Sequence, residues 1–148
     1  MSVWTHVAAT FRIDSPKVGT DGPSINGYVK PDWDKITGKA IYECDWTTED
    51  DYERQKLENS WADYREHPNR YMPAGSEGSL QRLVWVNPDK CCLARYTVTV
   101  FGDLRDYDDH EAVRKWFHEV CERCYVRQAV CTCDVSGPVH TWTYGEEA

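Results

Sequence analysis

Residues 3–14, VWTHVAATFRID, alternate in side-chain character over their whole length. Val3, Thr5, Val7, Ala9, Phe11 and Ile13 fall on one side, and Trp4, His6, Ala8, Thr10, Arg12 and Asp14 on the other. A period of two sustained this long describes a strand of roughly 40 Å with one buried face. It requires a sheet in which the strand can pair. It also requires something apolar, supplied by the rest of the chain, to cover the Val7–Phe11 side.

The rest of the chain offers candidates. Residues 48–66 read as a helix, with Thr48 as N-cap, acids at 49–51 and a thin stripe of Leu57, Trp61 and Tyr64. LQRLVWVN and CLARYTVTVF flank PDKC as a hairpin. Asp108 and Glu111 form a capping pair for a second helix. Its apolar face is Val113, Trp116, Phe117, Val120, Cys121 and Cys124. A strand over 126–135, the turn SGP and an edge strand VHTWTY complete the chain.

The order is therefore strand, helix, hairpin, helix, strand, with one strand added. That order predicts an α+β fold: a ferredoxin-like split βαβ sandwich with an antiparallel sheet, two helices on one face and an extra C-terminal edge strand. The core is expected at Val7, Phe11, Val98, Val100, Trp116 and Phe117. The 148 residues fit a single such domain, 1–148.

Residues 15–46 do not fit this scheme. They hold Pro16, Gly19, Gly22, Pro23, Gly27, Pro31 and Gly38, and their only strand-like piece is KAIYEC. A connection this long is uncommon in a compact domain and is usually functional or disordered. Its aromatics, Tyr28, Trp33, Tyr42 and Trp46, argue against disorder. The segment reads as an insertion after the first strand, dispensable for folding and available to a partner.

Four cysteines fall in CERCYVRQAVCTC, residues 121–133. The spacing suggests zinc, but the predicted elements separate the ligands. At a helical rise Cys121 lies about 6 Å below the helix-to-strand turn, whereas at a strand rise Cys131 lies roughly 20 Å below it. Four sulfurs about 2.3 Å from one metal cannot span that gap. Helical and strand periodicity place these cysteines in the core, as small hydrophobes. A Cys91, Cys92, Cys121 and Cys124 set at one end of the sheet remains the alternative metal site. Redox chemistry is disfavoured because C-x-x-C closes a helix here instead of opening one.

Composition excludes other classes. A formal charge of −8 disfavours direct nucleic-acid binding and suits a basic protein partner. No apolar run approaches a membrane span. The N-terminus lacks the basic region of a signal peptide, and seven cysteines, an odd number, fit a reducing cytoplasm. Asp103, Asp106, Asp108, Asp109 and Glu111 lack EF-hand spacing and read as helix caps. GSEGS, residues 75–79, has no following Lys and reads as a flexible linker.

The segments MSVWTHVAATFRID, TVTVFGDLRDYDDHE and VRQAV resemble small uncharacterised proteins encoded in phages and prophages. The resemblance covers the strands and the second helix but not residues 15–46. It implies a host cytoplasm, and an inhibitor or modifier of a host system would suit that setting.

The expected function is binding of a protein partner without catalysis or cofactor. The contact residues are Tyr28, Trp33, Tyr42 and Trp46 in the insertion, with Trp4, His6, Arg12 and Arg95 on the uncovered sheet face. The alternative is a small-ligand or nucleotide binder gripping an anion with His6, Arg12 and Arg95. A pocket beside those residues would favour it, and a flat surface would favour the protein partner. An enzyme would need a second group within reach of His6.

Overall fold

In the computed structural model the described residues are 3–14, 24–25, 28–29, 31–44, 47, 49–88, 94–135 and 137–145. Strand β1 (Trp4–Asp14) is followed by the short strands β2 (Ser24–Ile25) and β3 (Tyr28–Val29), which pair with each other. Helices α1 (Trp33–Thr37) and α2 (Asp51–Glu66) come next, then a 3-10 turn at Pro68–Arg70. The remaining elements are β4 (Gln81–Pro88), β5 (Ala94–Arg105), α3 (His110–Arg123), β6 (Val126–Val135) and β7 (Val139–Gly145). The class is α+β. Five strands form one open antiparallel sheet in the order β4-β5-β1-β6-β7.

β1 lies at the centre, and its alternation is realised residue by residue. Thr5, Val7, Ala9, Phe11 and Ile13 are buried, while Trp4, His6, Ala8, Thr10 and Arg12 are exposed. The six core residues expected from the sequence are all buried. α3 buries Val113, Trp116, Phe117, Val120 and Cys121, the i, i+3, i+4, i+7, i+8 face of a helix lying on a sheet. Phe11 meets Trp116 edge-on with centroids 6.0 Å apart, and lies 5.4 Å from Phe117. The N-cap of α3 is Asp109, which accepts from Ala112 N, one residue beyond the Asp108 expected.

The second contribution to this core comes from α1, inside the supposed insertion. Ile36 is fully buried in the main cluster, and Trp33 packs edge-on to Tyr96 at 5.3 Å. A helix of five residues cannot hold itself, and tertiary donors hold its C-terminal carbonyls. Trp116 Nε1 donates to Thr37 O at 2.8 Å, and Arg123 Nη1 to Ile36 O at 3.0 Å. From β4, Arg82 donates to Thr37 Oγ1 (2.8 Å), Gly38 O (3.2 Å) and Asp34 Oδ1 (3.0 Å). Residues 31–41 are thus part of the folding unit. Replacing 15–46 by a linker would remove core, which corrects the expectation that the segment is dispensable.

α2 departs from the expected arrangement as well. Its N-cap is Asp50, accepting from Tyr52 N, and Thr48 lies outside the described residues. Its Trp61 and Tyr64 pack on a separate small cluster of Ile41, Tyr71 and Ala74, away from the main core. The stripe is too thin to cover a sheet, and Leu57 is the helix's only buried residue. KAIYEC forms no strand beyond one bridge, Lys39 to Tyr71. Ile41 instead anchors the satellite cluster.

Candidate functional site

With α1 and α3 both on the inner face, no described element covers the outer face of the sheet. Register assembles that face in rows. His6 stands between Asp103 of β5 and Asp134 of β6. Ala8 stands between Phe101 and Thr132, and Thr10 between Thr99 and Val130. Arg12 stands between Thr97 and Gln128. β4 extends these rows with Gln81, Leu83 and Trp85, opposite Phe101, Thr99 and Thr97. Phe101, Val130, Leu83 and Trp85 are exposed. The result is an uncovered, threonine-rich surface with apolar side chains set into it and charges at its ends.

A polar contact on this face joins His6 to Asp103. Nδ1 of His6 bonds Oδ1 of Asp103, and Asp134 Oδ1 accepts from the backbone N–H of His6 at 2.8 Å. The bond to Asp103 is the main cause of a raised imidazole pKa, and desolvation opposes it. The enzyme reading therefore finds a carboxylate within reach of His6. It finds no nucleophile, because no described hydroxyl or thiol bonds His6, and Thr132 Oγ1 donates instead to Ala8 O at 3.5 Å. The pair joins β1 to β5 across two exposed positions.

The sequence-derived contact residues do not converge on one surface. Trp4, His6 and Arg12 lie exposed on the outer face, and Arg95 is half-buried at its far end, in register with Asp14. Trp33 is partly buried, its ring packed edge-on against Tyr96 at the margin of the core. Tyr42 is half-buried beside α2, its N–H donating to Ser60 Oγ at 2.9 Å and its ring 5.7 Å from Lys56 Nζ. Tyr28 belongs to β3, but its side chain, like Trp46, lies outside the described residues.

Of the alternative metal set, Cys91 and Cys92 also lie outside the described residues. Cys121 is buried and Cys124 half-buried. Burial pushes the thiols of Cys121 and Cys131 up to about 12, and those of Cys124 and Cys133 up to about 11. Such groups are neutral thiols near pH 7, consistent with a packing role. The acidic run divides among separate tasks as well. Asp103 holds His6, Asp109 caps α3, Asp106 accepts from Ser76 Oγ, and Glu111 pairs with Arg114.

Two features lay beyond the sequence reading. The first is the exposure of Leu83 and Trp85. Its signal was present in LVW, three consecutive apolar residues in a strand, which must place apolar groups on both faces. The second is a cleft of about 1120 Å³ between α2 and the loop 75–78. Trp4, Leu57, Trp61 and Tyr64 line it, with Arg54, Glu58 and Arg65 on the same helix.

The cleft exists because α2 packs on the satellite cluster and not on the sheet. Its loop is no flexible linker. Gly75 N–H donates to Gly78 O at 3.1 Å, Ser76 N–H to Arg105 O at 2.9 Å, and Arg105 N–H to Glu77 O at 3.0 Å. The loop is thus hydrogen-bonded to the end of β5. No helix of the described residues is long and apolar enough to cross a membrane. Comparison with protein-family models, with curated proteins and with solved structures finds no significant match to this chain.

Proposed function

We propose that this chain is a non-enzymatic binding protein that presents the outer face of its sheet to a protein partner. The observation that carries the reading is the uncovered face on which Phe101, Val130, Leu83 and Trp85 lie exposed among threonines. Exposed apolar side chains gathered on one uncovered face favour an interaction site. Aromatic residues at their centre are the natural anchors. The formal charge of −8 favours a basic partner, whose approach it would steer.

The scaffold we propose is a ferredoxin-like split βαβ unit. The order β4-β5-β1-β6 supports it, with helices carried by the β1-to-β4 and β5-to-β6 connections. β7 and α2 are additions to that unit. A cytoplasmic setting rests on the cysteine usage and the sequence resemblance, and a phage-encoded inhibitor or modifier of a host system on the resemblance alone.

A second reading has one observation in its favour. The cleft beside Trp4 is large enough for a small ligand and has aromatic walls. It does not lie beside His6, Arg12 and Arg95 as a group, so it is a different site from the anion grip expected there.

Photo-crosslinking separates the two readings. A crosslinker at Thr99 on the outer face should capture a partner, and one at Glu58 in the cleft should not. Phe101→Asp should abolish capture while leaving the melt unchanged. Capture from Glu58 alone, or capture insensitive to Phe101→Asp, would move the function to the cleft.

A further inference from the structure

We infer that β4 is a self-pairing edge, joining antiparallel to β4 of a second copy about a two-fold axis at Val84. The two five-stranded sheets would thereby form one continuous sheet. This goes beyond the partner-binding reading and does not depend on it.

No described strand pairs with the outer edge of β4. Leu83 is 64% and Trp85 67% exposed on the outer face, and Val84 between them is 36% exposed on the inner face. Strands that stay at a sheet edge are ordinarily protected by lysine, proline or a bulge. β4 pairs with β5 without a register shift, and its proline, Pro88, stands at its last position. Its one charged residue, Arg82, turns inward onto Asp34 and Thr37 of α1. Nothing within the strand therefore opposes addition of another.

A second copy fits the pattern of this edge. Residues directly opposite in an antiparallel pair point to the same face. With Val84 on the axis, Leu83 of each copy lies beside Trp85 of the other on the outer face. Val84 meets Val84 on the inner face, and the two Arg82 side chains stay apart, each opposite Val86. Trp85 offers roughly 150 Å². With Leu83 and Val84 this edge offers roughly 300 Å² per copy, below the roughly 1,000 Å² total of a stable interface, so the pair is weak and concentration-dependent.

The other edge, β7, is a poorer candidate. Its exposed apolar residues, Val139 and Tyr144, stand near opposite ends and form no patch. Like charge opposes the dimer, since each copy carries −8. Salt should therefore strengthen self-association, the reverse of its effect on a basic partner.

Sedimentation equilibrium of the intact chain over a wide concentration range, at low and high salt, tests the inference. The mass should rise from 17.2 kDa toward twice that value with concentration, and at lower concentration in high salt. Trp85→Lys and Leu83→Lys, at exposed positions, should weaken association roughly tenfold or more and leave the melt unaltered. Amide exchange at 82–86 should slow on association. A chain that stays monomeric at the highest concentration in high salt overturns the inference. So does a dimer indifferent to both lysines, or one without slowed exchange in β4. A foreign strand on this edge would appear as monomeric protein whose partner capture is lost with Trp85→Lys.

Discussion

Ile36→Ala decides whether residues 31–41 belong to the fold. Ile36 is fully buried in the main cluster, on a helix too short to persist alone. Truncation removes three carbons, about 2.4 kcal/mol of transfer at ~0.8 kcal/mol each. Carbonyls held by Trp116, Arg123 and Arg82 keep α1 in place and hinder collapse into the space, so a cavity cost adds to the loss. The expected loss is about 3–4 kcal/mol, a large part of a total stability of roughly 5–15 kcal/mol. For a chain of this size it corresponds to a fall in Tm of about 6–15 °C. Urea unfolding followed by tryptophan fluorescence measures it, with exposed Thr143→Ala as the control. A loss within about 0.5 kcal/mol, the ordinary range for a surface change, would refute the docking of α1 and restore the segment to the status of an insertion.

Other consequences follow from the same packing. Trp116→Phe keeps an aromatic side chain, though a smaller one, and removes the donor to Thr37 O, leaving a buried carbonyl short of a partner. It should cost about 1–3 kcal/mol in urea unfolding, and an unchanged midpoint would mean that the indole bond does not form. In native protein at neutral pH, Cys121, Cys131 and Cys133 should resist alkylation while half-buried Cys44 reacts, mapped by mass spectrometry. Equal labelling of Cys131 and Cys44 would sink the core assignment.

What the sequence revealed divides along a physical line. Elements with a strong period could be read directly. β1, α3 and β6 came out nearly to the residue because each buries a full face, so periodicity and burial agree. α1 could not be read, since five residues carry barely one helical turn and no period. Its helix depends on donors from Arg82, Trp116 and Arg123, which are distant in sequence. Trp33 shows the same limit: an aromatic in a Gly/Pro-rich stretch gives no local sign that it packs on Tyr96. The outer face was legible as positions, because alternation names its residues. The pairing of His6 with Asp103 needed the register of β1 against β5, which alternation does not specify.

The loop 75–78 ties that pair to the backbone, and one substitution examines the connection. Gly78 has φ +81, and a Cβ there would lie 2.2 Å from the carbonyl oxygen of Asp103. An L-residue in this region is strained by about 1–2 kcal/mol, and the collision is with backbone, which cannot swing aside. Gly78→Ala must therefore move either the loop or the end of β5. Arg105 hydrogen-bonds the loop twice and pairs with Glu77 at 2.6 Å, so a displaced loop draws the strand end with it. Asp103 then shifts away from His6. The His6 pKa is raised above 6.5 chiefly by that bond, so the pair contributes fully below pH 6.5, and its contribution is lost as pH rises through the elevated folded value. In the variant the His6 imidazole, followed by NMR titration, should return toward 6.5, as it should in Asp103→Asn. The alanine should also lower stability by about 2–4 kcal/mol, strain and displacement together. A destabilised variant whose His6 still titrates high would show that the loop and the pair are independent. Unchanged stability would show that the close approach of Gly78 to β5 is not a property of the folded chain.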